Sequence, residues 1–106
     1  MELTLAAQSL AALGHANRLE IFRILVQAGT GGMRIGDLQT ALGRPASTVA
    51  FHLRALASAN LILQEREGRE VYCRVNFSAL DEVLQYVKQD CCQGVSLPVF
   101  VNAEAA

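Results

Sequence analysis

The stretch STVAFHLRALASAN, residues 47–60, decides how the chain is read. Val49, Leu53 and Leu56 recur at spacings of four and three, so on an α-helix they share one stripe that can be buried. The opposite face then carries Ser47, Ala50, Phe51 and Arg54. A Phe beside an Arg and short hydroxyls is an odd choice for a solvated surface. It suits a helix laid in the major groove of DNA, where Arg and hydroxyls meet base edges or phosphates and an apolar ring can touch a thymine methyl.

Working outward, the preceding segment DLQTAL reads as a short helix with Gly36 as N-cap, Leu38 and Leu42 inside and Gly43 as its stop. RPA is then a tight connection, with Pro45 suited to the first turn of the next helix. Helix, short turn and helix make a helix-turn-helix unit. Asn60 suits the left-handed residue that ends the second of these helices. Beyond it, LILQERE and REVYCRV flank Gly68 as a β-hairpin.

Upstream, LTLAAQSLAAL (3–13) places Leu3, Ala6, Leu10 and Leu13 at heptad-like spacing, a helix that needs a partner surface. Gly14 breaks it. His15 or Asn17 can cap a second helix in which Leu19, Phe22, Leu25 and Val26 give a core stripe, ended by Gly29, and TGG follows as a loop. Downstream, FSALDEVLQYVKQDCC (77–92) forms a last helix with Leu80, Val83, Leu84, Val87 and Cys91 on one face. The order α-α-α-α-β-β-α predicts a winged helix flanked by two helices apolar enough to pair chains into a homodimer. Residues 1–92 form the domain and 93–106 a tail without an assignable element.

The totals narrow the function. A length of 106 residues gives one domain with a modest core, and a hydrophobic share of 52% hints at apolar surface buried between subunits. No run approaches the roughly 18 uncharged apolar residues of a membrane span. The N-terminus lacks a basic signal-peptide region. A cytoplasmic location is therefore expected, with Cys73, Cys91 and Cys92 as reduced thiols. The net charge of −1 argues at first against nucleic acid, but its distribution does not. Residues 34–74 hold six arginines against four acids, net +2, whereas residues 75–106 are net −3. The basic excess falls on the helix-turn-helix and hairpin, a weak footprint that a dimer doubles. No Cys-x-x-Cys on a βαβ unit, phosphate-cradling glycine loop or Cys–His–Asp grouping is present, which argues against an enzyme.

Three segments in order, LGHANRLEIFRIL (13–25), IGDLQTALGRPASTVAFHLRALASANLI (35–62) and EREGREVYCRVN (65–76), resemble the ArsR/SmtB family of dimeric bacterial repressors. The resemblance covers about residues 10–92. It implies that the 47–59 helix reads operator DNA, with Ser47, Thr48, Phe51 and Arg54 on the DNA side. It implies that Arg66 and Arg69 lie on a wing along the backbone, and that the first and last helices build the dimer. His52, on the flank of the buried stripe, is either a packing residue with one hydrogen bond or a further DNA contact.

The resemblance also implies an effector site. The Cys-x-Cys of one subgroup is replaced here by Met33, Arg34 and Ile35, and the His-and-carboxylate zinc site of another has no His in 77–106. What remains is similar to the arsenical-responsive subgroup with adjacent cysteines, as in DCCQG (90–94). Thiolates suit soft ions, and three cysteines do not supply the four donors of structural zinc. Trivalent arsenic or antimony prefers three thiolates; a methylated arsenical needs only two, which Cys91 and Cys92 offer. Cys73 is a third ligand only if the last helices pair antiparallel across the dimer, since roughly 20 Å of helix separates it from Cys91 in its own chain. Otherwise Cys73 is an apolar wing residue. The expectation is a repressor released from its operator by a trivalent arsenical. Its rivals are a redox or persulfide sensor of the same fold, a regulator without effector, and a thiol enzyme or arsenic carrier.

Overall fold

A computed structural model describes residues 1–96. The elements are α1 (Leu3–Leu13), α2 (Ala16–Ala28), β1 (Met33–Arg34), α3 (Ile35–Leu42), α4 (Ala46–Ser58), β2 (Ile62–Glu67), β3 (Glu70–Val75) and α5 (Phe77–Lys88). The fold is a winged helix-turn-helix, mainly helical, with a small antiparallel sheet.

The stripe expected of α4 is the centre of the core. Val49, Leu53 and Leu56 are at most 1% exposed and pack with Ile21, Phe22, Leu25, Leu38, Leu61 and Cys73. Burying each large aliphatic side chain contributes roughly 1.5–3 kcal/mol. Asn60 takes the left-handed conformation, φ 62°. The Asn60 and Leu61 amides donate back to the Ala57 and Leu56 carbonyls. This is a Schellman stop, sealed by apolar contact between the buried Leu56 and Leu61. The helix therefore ends where the hairpin must begin.

Some expectations are corrected. The core face of α2 is Ile21, Phe22 and Leu25, while Leu19 and Val26 stay exposed. The stripe is rotated because α2 packs against α1, α4 and β3 together. α3 starts at Ile35 behind Arg34, so Gly36 lies within the first turn and is not the cap. The short β1 pairs Met33 with Cys73 and Arg34 with Tyr72, giving a sheet of order β1-β3-β2 in place of a bare hairpin. The turn before β1 depends on Gly32. Its φ is +72°, and a Cβ there would lie 2.3 Å from the Cys73 carbonyl oxygen.

The last helix is shorter than expected. α5 stops at Lys88, and residues 89–93 continue as two tight turns with Asp90 and Cys92 at positive φ. Val83 and Ala79 face inward, whereas Leu84 and Val87 are 51% and 60% exposed. On α1, small residues (Ala6, Ser9, Ala12) make the inner face and leave Leu3, Leu5 and Leu10 outside. The tail expectation for 93–106 lies outside the described residues from 97 onward.

Candidate nucleic-acid interface and thiol pair

Because Val49, Leu53 and Leu56 are drawn into the core, helical geometry turns Ser47, Phe51, Arg54 and Ser58 outward on one exposed stripe. Phe51 is 53% exposed. Thr48 is half-buried beside this stripe. Arg54 has no carboxylate within ion-pair distance among the described residues, so its charge is not spent inside the protein.

The helix-turn-helix and wing are less basic than the sequence count suggests. Arg74 is tied to Glu65 at 2.6 Å, Arg44 to Glu20, and Arg34 to Asp37. Arg66 and Arg69, on either side of the Gly68 turn, are exposed and carry no such partner among the described residues. On α4 and the wing, the described cations without a carboxylate partner are thus Arg54, Arg66 and Arg69.

Of the two readings of His52, the structure fits the packing residue with one hydrogen bond. Its side chain is 5% exposed and accepts a hydrogen bond from Arg18 Nε at Nδ1, 3.3 Å. Burial first, then the charges of His15, Arg18 and Arg44, holds its pKa below the ordinary histidine value. His52 is thereby held toward the uncharged form and works as an internal acceptor for Arg18. The residue that reading the sequence missed is Arg18, whose guanidinium carbon lies 5.9 Å from the Phe51 ring centre. With 34 positions between Arg18 and His52, no local period marks the pair.

At the other end of the fold, Cys91 and Cys92 are both exposed, with their sulfurs 3.0 Å apart. They lie in the turns after α5, so the expected helical continuation of the Leu80–Val87 stripe does not apply to them. The Cys92 thiol beside it pushes the Cys91 pKa up. Cys73 is fully buried on the central strand β3, where Gln64 Nε2 donates to its sulfur at 3.5 Å and burial raises its pKa. Of its two readings, the burial agrees with the apolar wing residue: its sulfur belongs to the core. No group of three His, Cys, Asp or Glu side chains is poised around one point among the described residues. A cavity of about 210 Å³ between α1, the end of α4 and α5 is lined by Leu5, Ser9, Asn60, Ala79 and Glu82 among others, and no thiol lines it. No helix of the described residues is long and apolar enough to cross a membrane.

Residues 13–65 match the family described as a helix-turn-helix domain, half of the chain. Among solved structures, the chain is similar to an ArsR-like transcriptional regulator from Rhodococcus sp. RHA1. The identity is 26% over 85% of this chain and 82% of that one, with a TM-score of 0.72. It is also similar to the homodimeric winged helix-turn-helix DNA-binding domain of a possible ArsR-family regulator from Mycobacterium bovis. There the identity is 25% over 90% and 89% of the two chains, with a TM-score of 0.66. The fold alone is shared with a possible transcriptional regulator for arsenical resistance, at 19% identity over 93% and 97% and a TM-score of 0.67. The chain belongs to the helix-turn-helix domain family and has the winged helix-turn-helix fold it shares with these ArsR-like regulators.

Proposed function

We propose that the protein is a homodimeric repressor, with residues 1–92 as its DNA-binding and dimerisation domain, released from operator DNA by a trivalent arsenical bound to Cys91 and Cys92. The observation that carries the effector is the exposed thiol pair, sulfurs 3.0 Å apart, which one soft ion can bridge. The pairing reading is supported by Leu3 and Leu10 on α1 and by Leu84 and Val87 on α5. These are apolar side chains left outside a small domain on two neighbouring helices. The Mycobacterium bovis relative is described as homodimeric. Two α4 helices, related by a twofold axis, then enter successive major grooves about 34–36 Å apart. Ser47, Thr48, Phe51 and Arg54 face the bases and Arg66 and Arg69 the phosphates.

For release, the arsenical must bind the free dimer more tightly than the DNA-bound one, by about 1–3 kcal/mol for a useful switch. The similarity in fold to a possible regulator for arsenical resistance agrees with this effector class. A peroxide or persulfide sensor of the same fold is less well supported. It calls for a low-pKa thiol, whereas the Cys91 thiol is pushed upward by its neighbour.

The test uses a duplex selected from a random pool by the purified protein, followed by fluorescence anisotropy. Phenylarsine oxide is expected to release this duplex from the wild type and not from Cys91→Ser or Cys92→Ser. Release that survives Cys91→Ser would sink the arsenical assignment, and release by peroxide alone would select the redox reading.

A further inference from the structure

Phe51 is the large apolar group on the outer face of α4, and a half-exposed ring on a helix is free to change rotamer unless something holds it. Here Arg18 holds it from α2. Its Nε donates to His52 Nδ1, and its guanidinium carbon sits 5.9 Å from the Phe51 ring centre, within cation–π range. The His52 ring meets the Phe51 ring edge-on, centroids 5.3 Å apart at 69°. A guanidinium is suited to this double task, because it can donate in its plane while its face or edge rests on a ring; an ammonium is not.

We propose that Arg18, anchored by its hydrogen bond to the ring of His52, is a specificity-determining part of the DNA-reading surface, fixing Phe51 in one rotamer and placing a cation beside the base edge that Phe51 touches. This rests on the reading of α4 as the recognition helix. Arg18 is then a contact residue supplied by a second helix, and His52 is a positioning residue that never meets DNA. The anchor has one chemical requirement, an unprotonated Nδ1. The charged or titratable groups facing His52 are His15, whose ring is 4.9 Å away at the start of α2, Arg18 on α2, and Arg44 in the turn before α4. All three disfavour a cation on His52. At neutral pH the acceptor is therefore present. Acid removes it and sets a charged ring against Arg18, below the ordinary histidine value of about 6.5.

The experiment uses the full chain and three duplexes: the selected one, a scrambled one of equal composition, and the selected one with deoxyuridine for thymidine. Wild type is expected to prefer the selected duplex over the scrambled one and thymine over uracil, with the preference falling in acid. Arg18→Lys keeps the charge and loses the fork, and is expected to lower both preferences by about threefold to tenfold. His52→Gln supplies a carbonyl oxygen that accepts from Arg18 without titrating. It is expected to keep the preference at neutral pH and abolish the acid decline, while His15→Asn keeps that decline. An Arg18→Lys protein that discriminates as wild type does, or a His52→Gln protein with an unchanged acid decline, overturns the proposal. A wild type that binds selected and scrambled duplexes equally overturns the reading of α4 itself, and this inference with it.

Discussion

The outer face of α4 and the turns after α5 are opposite ways of presenting chemistry. On α4, each outward residue is aimed by an inward one: Ser47, Phe51 and Arg54 point out because Val49, Leu53 and Leu56 are sealed in the core. After α5, Cys91 and Cys92 have no buried neighbour to aim them, and their mutual 3.0 Å separation rests on local turns with two residues at positive φ. The first region is preorganised by the whole domain. The second is local and can be reshaped by whatever binds there.

That contrast breaks first, and most widely, at Leu53. Leu53→Ala empties a core position and is expected to cost about 2–5 kcal/mol in urea unfolding, with DNA binding falling alongside. A loss under 1 kcal/mol would mean that α4 is not held by the core. At the thiols, phenylarsine oxide at 100-fold its dissociation constant should raise stability by at most about 2.7 kcal/mol, less what the adjacent thiols of the unfolded chain bind, read as a higher Tm in the wild type only and not in Cys91→Ser. Each As–S bond forms as a thiol proton leaves on the arsenical's oxygen, which departs as water, so no net proton is released. With the Cys91 pKa raised, the thiol stays protonated and that gain is expected to be nearly constant between about pH 6.5 and 8.5. A gain that survives Cys91→Ser would show that the arsenical binds elsewhere.

Gly32→Ala should cost more than about 1 kcal/mol, because the new methyl meets the β3 backbone at a positive φ. In DNA binding, the double change Arg66→Ala, Arg69→Ala in a dimer removes four cations, which should flatten the log–log salt slope by up to about 3.6. An unchanged slope would place the wing off the duplex. The smallest effect sharpens the comparison from the other side: Cys91→Ser alone should leave the unliganded stability within about 0.5 kcal/mol.

The part legible in the sequence is the part governed by local period. The α4 stripe, Asn60 as the left-handed stop, the Gly68 hairpin and the small-residue breaks at Gly29 and Gly43 all follow from spacing within one or two turns. The two-residue β1 has no period to read, since β3 recruits it through Cys73 and Tyr72. The end of α5 misleads because Cys91 continues the apolar spacing of Leu84 and Val87, while the turn is made by Asp90, which carries no glycine signal. The α2 stripe is misplaced for a related reason. Leu19 and Val26 are as apolar as Ile21, and tertiary packing chooses among them. Arg18 beside Phe51 is beyond any local pattern, as is the tying-up of Arg44 and Arg74 by Glu20 and Glu65.

One small residue gives the two ends of the domain a mechanical link. The Asn76 amide donates to the Leu61 carbonyl at 2.9 Å, its side-chain nitrogen donates to the Asn60 carbonyl at 3.1 Å, and its side-chain oxygen caps α5 at Ala79. The end of the fourth helix and the start of the fifth are therefore pinned to each other, like a crank bolted to its shaft. Swinging one helix without twisting the other would mean breaking hydrogen bonds made by this one asparagine.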